Sequence, residues 1–451
     1  SMLQASEKRA VEIGMENLAL LAGFADPLRL EWAMETRAVA DLARGPVTVT
    51  EGDVVITLRV DDDGEPSLTG ARMGKAGSRE LKSIPPAVKK LPGVAVLAER
   101  LTGLRRLRSR VRGSLEQAMC RGDGFRAGEL RGLLEHPILR PALERLVFAR
   151  TDAGGAVLAL GYPDKGGRVL RSCAGEMEPL RDADALRLAH PLDLLGAGAW
   201  DRWQRDCFGA ERVQPFKQVF REVYVPTSAE RGLGESVRYA GQQVMPRQAM
   251  ALLGGRGWVA RPEEGVQRTF HGDGLVARLE FEEYFFTPGE VEGLTLRAVR
   301  FTRRGEYKAL ELSAVPPCLF SETMRDVDLV VSVAHRGGVD PEASASTVEV
   351  RAALVRETAV ALRLGNVQVE GNRALIDGAL ASYSVHLGSA VAHVRAGRML
   401  LISPVFSQHR GRLFLPFADD DPKTAEVLTK VLMLSRDTEI RDPLITGQIR
   451  G

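Results

Sequence analysis

The most constraining feature of this 451-residue sequence is the stretch Pro316–Pro341, which reads PPCLFSETMRDVDLVVSVAHRGGVDP. Its apolar run Leu329–Ala334 is short and rich in β-branched residues. Such a run is typical of a strand that is covered on both faces. Two aspartates precede the run, and a histidine, an arginine and two glycines follow it. We therefore expect a buried strand with polar groups at both ends.

Polar residues at the carboxyl end of a buried strand are candidates for a site, because open α/β sheets place their ligands there. Asp326, Asp328 and His335 are the predicted catalytic residues of this stretch, and Arg336 is a predicted phosphate ligand. The glycines that follow would let backbone N–H groups approach an anion closely. The alternative is that both aspartates are turn residues and that His335 and Arg336 lie in a solvated loop.

Two further polar clusters lie near the C-terminus. In the segment YSVHLGS, alternation along a strand places Ser384 and His386 on one face. A second segment, Ser407–Arg412, is basic and is followed by three aspartates that end at Asp421. The alternative for the second cluster is a hairpin turn followed by a helix cap. The hypothesis predicts that one cleft combines the catalytic residues Asp326, Asp328, His335 and His386 with the phosphate ligands Arg336, Arg410 and Arg412.

The run from Val94 to Met119 has apolar residues at three- and four-residue steps, which predicts a helix. Its other faces carry six arginines between Arg100 and Arg112, with no acidic residue among them. Arginine forks match phosphate geometry, so we list Arg105, Arg106 and Arg108 as candidate contacts to phosphate or nucleic acid. The alternative is a solvated face whose arginines pair with acids from elsewhere in the chain.

Overall composition excludes several classes of protein. The 61 Lys and Arg residues nearly balance the 59 Asp and Glu residues, so net charge implies no partner. The four cysteines contain no C-x-x-C pair, which argues against a thiolate zinc site and favours a reducing cytoplasm. No metal site is predicted, and the cofactor stays unknown. No apolar run reaches the roughly 18 residues that cross a bilayer. The start Ser1-Met2 is typical of a cloning remnant, which leaves open a longer native polypeptide.

The order of predicted elements favours an α+β fold with a helix-rich N-terminal half, a β-rich C-terminal half and several small domains packed together. Turn-rich and Gly-rich stretches divide the chain into four parts. These are an N-terminal unit of helices and a hairpin, a mostly helical region, an α/β middle unit and a C-terminal α+β unit. Their predicted bounds are residues 1–93, 94–235, 236–345 and 346–451.

Several long runs resemble one family. They include LEHPILRPALERLVF, LRLAHPLDLL, ERVQPFKQVFREVY, FSETMRDVDLVVSVA, YSVHLGS and GRLFLPFADDDPKTAEVLTKVLML. From about Leu81 to the C-terminus the chain is similar to the MolR-like bacterial family of unknown function. Members of that family are often fused to a WGR module, which also occurs in poly(ADP-ribose) polymerases. The resemblance thus implies a DNA-related or stress-related setting, but it supplies no catalytic residues to carry over.

Two functional hypotheses follow from these observations. In the first, the chain is an enzyme that acts on a nucleotide or nucleic acid through the predicted cleft. In the second, it is a non-catalytic scaffold that binds nucleic acid or a protein partner, with the arginine face as the contact surface. A third hypothesis is an ADP-ribosyltransferase, because the motif His386-x-Gly388-Ser389 is similar to the NAD-binding strand of that family. However, no tyrosine follows Tyr383 where that family needs one. Whether the chain is an enzyme stays open at this point.

Overall fold

The chain forms two compact units. The computed structural model describes residues 10–11, 14–15, 17–22, 27–74, 77–261, 265–270, 274–283, 289–336, 344–394, 397–402, 413–418 and 421–450. The first unit contains residues 1–189 and 214–216, and the second contains residues 190–213 and 217–451. The predicted division into four domains is finer than this and stays a prediction.

Among residues 27–189, the described part of the first unit contains five helices and two antiparallel sheets. One sheet has the order β1-β2-β3-β4 and the other has the order β5-β10-β6-β7-β8-β9. The helices are α1 (Pro27–Ala38), α2 (Pro86–Lys89), α3 (Pro92–Arg121), α4 (Ala127–Leu134) and α5 (Leu139–Glu144). The strands are β1 (Val47–Glu51), β2 (Val54–Val60), β3 (Pro66–Gly74), β4 (Gly77–Leu81), β5 (Gly124–Arg126), β6 (Phe148–Thr151), β7 (Val157–Asp164), β8 (Val169–Arg171), β9 (Met177–Pro179) and β10 (Ala185–Leu188).

Helix α3 crosses the core of the first unit, and the helix predicted from Val94 to Met119 is confirmed. Pro92 stands in its first turn, where a missing N–H costs nothing. Gly122 ends it with a φ of 70°, a left-handed conformation that glycine adopts without a steric penalty. One face is buried in the core through residues that include Leu97, Leu104 and Leu115. The arginines are therefore left on the remaining surface of the helix.

The second unit holds the other two sheets, which are also antiparallel. Their orders are β11-β16-β15-β14-β13, with β12 also paired to β16, and β17-β18-β19-β20-β21. The helices are α6 (Pro191–Gly196), α7 (Trp200–Gly209), α8 (Pro246–Gly254), α9 (Pro317–Val333), α10 (Ala345–Ala361), α11 (Pro422–Ser435) and α12 (Pro443–Arg450). The strands are β11 (Glu235–Ser236), β12 (Gln243–Val244), β13 (Trp258–Arg261), β14 (Gly265–Phe270), β15 (Leu275–Phe281), β16 (Leu294–Arg303), β17 (Val367–Glu370), β18 (Arg373–Asp377), β19 (Ser382–His386), β20 (Ala392–Val394) and β21 (Met399–Leu400).

The strand predicted at Leu329–Ala334 is wrong, because this run is the last part of helix α9. The β-branched residues suggested a strand, but the buried apolar positions upstream recur at helical spacing. Phe320, Met324, Val327 and Val331 are all buried on one side of α9. The packing of this face against the sheet therefore overrides the strand preference of the valines.

The general prediction of a mixed α+β fold is confirmed, but the predicted split into halves is not what the structure shows. Ten of the described strands lie in the first unit, and the second unit contains long helices such as α9 and α10. The helix cap that was the alternative for the cluster ending at Asp421 is formed, since the Asp421 side chain accepts a hydrogen bond from the Thr424 N–H and Pro422 opens α11. None of the described helices is both long enough and apolar enough to cross a membrane.

His136 should make the first unit sensitive to acid. The imidazole is 1% exposed, and its Nδ1 accepts N–H groups from Ile138 and Leu139 at 3.1 and 3.3 Å. Burial lowers the pKa of His136 to about 4. The folded state therefore binds fewer protons than the unfolded state below pH 6.5. The contribution of His136 to the free energy of unfolding should be fully present above pH 6.5, and the free energy of unfolding should fall by about 3 kcal/mol as the pH drops to 4.

Hydrogen–deuterium exchange of amides in α5 at pH 7.5 and pH 4.5 measures this effect. His136→Asn keeps an acceptor for the two N–H groups but cannot titrate. We expect this variant to lose much less protection in α5 between the two pH values than the wild type. Equal losses in the two proteins would show that another group causes the acid sensitivity.

Candidate functional site

Helix α9 is unusual because it carries charged residues on its buried side. Glu322, Asp326 and Asp328 are 3%, 4% and 8% exposed. Removing a carboxylate from water costs several kcal/mol unless partners compensate it. The partners of each carboxylate therefore decide whether it can do chemistry or whether it is part of the structure.

Glu322 forms the most extensive buried ion pair that the structure describes on this helix. Arg221 donates from Nε to Glu322 Oε1 at 2.8 Å and from Nη2 to Oε2 at 2.6 Å. His190 Nε2 lies 3.0 Å from Oε1. Burial opposes the charge of Glu322, but Arg221 and His190 hold the pKa of this carboxyl well below its usual range. The carboxylate is thus held ionised inside the unit by a two-point arginine contact.

Asp326 lies one turn further along α9 and faces the first sheet of the second unit. Its Oδ2 accepts hydrogen bonds from Trp258 Nε1 at 2.8 Å and from Arg268 Nη1 at 2.7 Å. Arg256 Nε lies 3.2 Å from Oδ1. Burial raises the pKa of Asp326 although both arginines act in the opposite direction. Asp326 therefore ties α9 to strands β13 and β14.

Asp328 accepts hydrogen bonds from four hydroxyl groups. Tyr224, Thr347 and Ser344 reach Oδ2 at 2.8, 3.0 and 3.2 Å, and Tyr239 reaches Oδ1 at 3.1 Å. Burial raises the pKa of Asp328, and burial next to this carboxylate also raises the pKa values of both tyrosines. Ser344 is also the N-cap of α10, so Asp328 joins α9 to the start of that helix.

Sequence reasoning missed the segment from Lys217 to Tyr224, which supplies many of these partners. Lys217 Nζ is buried between Glu222 at 2.8 Å and Asp421 at 2.6 Å. Glu222 also accepts a hydrogen bond from Arg325 Nε at 2.9 Å. The available signal was the alternation of polar pairs with apolar or aromatic pairs in KQVFREVY, which is unusual for a solvated loop. The residues around Tyr224 lie outside the helices and strands.

The remaining predicted catalytic residues occupy other places in the second unit. His335 follows α9 and pairs with Val244 through an isolated bridge. Its Nδ1 has no hydrogen-bond partner in the part of the chain that the structure describes. His386 ends β19, where Nδ1 accepts the Ser389 N–H at 3.0 Å and Nε2 lies 3.0 Å from Asn372 Nδ2. The contact with Ser389 closes the turn after β19, and the contact with Asn372 links His386 to the turn between β17 and β18.

Of the phosphate ligands predicted for the cleft, the structure describes only Arg336. Arg336 Nη2 lies 3.2 Å from Glu292, which is largely exposed. Arg410 and Arg412 lie outside the described residues, as do Gly337 and Gly338. The structure thus puts Asp326 and Asp328 on one helix, but the contacts described for them and for His386 involve different partners. Convergence of these groups in one cleft stays a prediction.

The arginine face of α3 belongs to the first unit and is partly neutralised. Arg100 makes a two-point contact with Asp41 at 2.8 and 2.9 Å. Arg108 lies 2.6 Å from Glu65, and Arg110 lies 3.2 Å from Glu31. These pairs agree with the alternative in which acids from elsewhere pair with this face. Two other arginines of this face, Arg105 and Arg106, are exposed and have no ion pair among the described residues.

The described residues contain no group of three or more His, Cys, Asp or Glu side chains that could hold a metal ion. None of the four cysteines, which all lie within the described residues, forms a disulfide.

Three family models match separate parts of the chain, and all three describe regions of unknown function. Residues 78–258 match "Domain of unknown function (DUF4132)" and residues 348–449 match "Domain of unknown function (DUF7737)". Residues 1–34 match "Family of unknown function (DUF5724)". No curated protein and no solved structure matches the chain. None of these findings names a MolR-like family or a WGR module, so that resemblance stays a prediction.

Removing the charge of Glu322 should strongly destabilise the second unit. In Glu322→Gln, the Arg221 guanidinium stays buried without a counter-charge, which typically costs about 3–5 kcal/mol. Urea unfolding followed by tryptophan fluorescence measures the change, because Trp200, Trp203 and Trp258 all lie in this unit. The matched control is Glu292→Gln, whose carboxylate is 92% exposed. A control effect as large as that of Glu322→Gln would contradict a special role for the buried pair.

Proposed function

We propose that this chain is a non-catalytic binding module and that the exposed arginine face of α3 contacts nucleic acid. The observation that carries the proposal is the pair Arg105 and Arg106. Both are exposed on a helix whose opposite face is fixed in the core, and neither has an ion pair among the described residues. Two adjacent guanidinium groups on a rigid helix are suited to contact the phosphates of a nucleic acid backbone.

The neighbouring ion pairs do not prevent such contacts. Arg108 and Arg110 are 47% and 59% exposed at the side chain, and their acidic partners are 45% and 37% exposed. Exposed pairs of this kind contribute only about 0–1 kcal/mol. A phosphate could therefore replace Glu65 or Glu31 at low cost, which would extend the contact surface along the helix.

The burial of the α9 carboxylates supports a non-catalytic role. A general acid or base must reach the proton that it transfers. Asp326 and Asp328 are 4% and 8% exposed. Trp and Arg donors engage Asp326, and hydroxyl donors engage Asp328. Their raised pKa values are typical of functional sites as well as of buried carboxylates, so the pKa values alone do not favour an enzyme.

Binding to a labelled 20-base-pair DNA duplex at 25–200 mM salt tests the proposal. We expect sequence-independent binding that weakens as salt rises, because phosphate contacts release counterions. The double variant Arg105→Gln with Arg106→Gln should bind more weakly and lower the slope of log K against log salt by about 2. Anisotropy of the labelled duplex gives both quantities.

The matched control is Arg303→Gln with Arg304→Gln, which removes the same charge from two adjacent exposed arginines at the end of β16. This control should bind DNA as the wild type does. If the wild type does not bind at 25 mM salt, or if the two double variants lose the same affinity, the α3 face is not a nucleic acid surface.

A further inference from the structure

The second unit contains an open groove that none of the contacts described above explains. It lies between the C-terminal half of α10 and strand β17, and its volume is about 880 Å³. Val355, Ala359 and Leu364 contribute apolar surface from the helix side, and Val367 and Val369 contribute it from the strand. This volume lies within the range of pockets that hold ligands, and the apolar lining indicates a partner that buries side chains there.

The strand that borders the groove has a free edge. β17 is the terminal strand of its sheet and pairs only with β18 among the described strands. Its residues alternate, so that Val367 and Val369 are half-buried while Gln368 and Glu370 are exposed. Apart from the Val367 N–H, which donates to the Leu364 carbonyl at 3.3 Å, the outward N–H and C=O groups of such an edge strand are open to an extended chain that comes alongside it. The groove therefore offers backbone hydrogen bonds as well as apolar contacts.

Charge and hydrophobicity along α10 restrict what can bind there. Val360 is 75% exposed, although it is apolar and lines the groove. Arg356 and Arg363 lie on either side of it, and neither takes part in an ion pair among the described residues. Glu370 is the one acidic residue in the lining. The groove thus combines an apolar centre with an excess of positive charge.

We propose that this groove binds an extended acidic peptide, which adds to the free edge of β17 as a further strand. Backbone hydrogen bonds to β17 would provide affinity, and the side chains that face α10 would provide specificity. An apolar residue of the peptide packs on Val360 and Ala359. Acidic residues on either side of it meet Arg356 and Arg363 as charge-assisted hydrogen bonds.

The spacing of the arginines predicts the pattern of the peptide. Arg356 and Arg363 are seven residues apart on or next to α10, which corresponds to about 10.5 Å along a helix. Side chains on one face of a strand repeat every two residues, or about 6.7 Å, so residues four apart are about 13 Å apart. The long arginine side chains can span the difference. The predicted pattern is therefore acidic-x-apolar-x-acidic.

A labelled peptide with Glu-Thr-Val-Thr-Glu between Gly-Ser flanks tests the proposal on the full chain by fluorescence anisotropy. The variant Arg356→Gln with Arg363→Asn should bind about tenfold more weakly. Asparagine is chosen because Arg363 has a φ of 53°, a left-handed conformation that asparagine tolerates. The control Arg303→Gln with Arg304→Gln removes the same charge elsewhere in the unit and should bind as the wild type does. A peptide with Lys in place of Glu should not bind.

Two N-methylated peptides distinguish strand addition from a simple charge contact. One carries methyl groups on the N–H groups of Glu, Val and Glu, and the other carries them on both Thr residues. Because alternate residues of a strand point their N–H groups to opposite sides, only one of these peptides should lose binding. The proposal is overturned if the parent peptide does not bind, if the Lys peptide binds equally well, or if both methylated peptides bind like the parent.

A second copy of the chain is the competing occupant of the groove. Sedimentation velocity without peptide should show that the chain does not dimerise through the groove. A dimer that is abolished by Val360→Asp would overturn the proposal. The inference is independent of nucleic acid binding, because the groove and α3 belong to different units. Arg105→Gln with Arg106→Gln should bind the peptide normally, and the groove variant should bind DNA normally. Failure of either proposal can therefore be recognised separately.

Discussion

The second unit depends on the ion pair between Glu322 and Arg221, both of which are almost completely buried. A carboxylate and a guanidinium at this depth cannot be hydrated, so each requires the other. The fork of Arg221 satisfies both carboxylate oxygens, and His190 adds a third contact. Such a pair contributes little net free energy compared with apolar residues, but the loss of one partner leaves the other charge buried without compensation. We infer that it sets the position of this helix.

The other carboxylates of α9 extend this arrangement in different directions. Asp326 binds donors on β13 and β14, and Asp328 binds hydroxyl groups at the start of α10. The segment from Lys217 to Tyr224 contributes to several of these contacts and reaches the N-cap of α11 through Asp421. The helix thus connects one sheet, two helices and an irregular segment through buried polar contacts. This explains why a helix in the middle of a core carries so many charged residues.

The two proposed binding surfaces share a different property. Each surface carries two exposed arginines that have no ion pair among the described residues, Arg105 and Arg106 on α3 and Arg356 and Arg363 beside β17. Buried charges in this protein have dense sets of partners, whereas these exposed charges remain available to a ligand. Water screens the exposed charges, which makes their contribution to folding small and leaves them free to act in binding. Burial therefore separates the structural charged groups from the candidate binding groups.

The sequence by itself determined the features that depend on neighbouring residues. The apolar repeat of α3 and the helix cap at Asp421 could both be predicted, because helix periodicity and capping act within a few residues. The secondary structure of Leu329–Ala334 could not be predicted in this way, because its β-branched residues fit a strand as well as a packed helix. Only the tertiary structure determined that this run is helical and which residues are the partners of the α9 carboxylates. Arg221 and Glu322 are 101 residues apart, and Trp258 and Asp326 are 68 apart. No local pattern records contacts at such separations, since they form only when the sheet and α9 pack together.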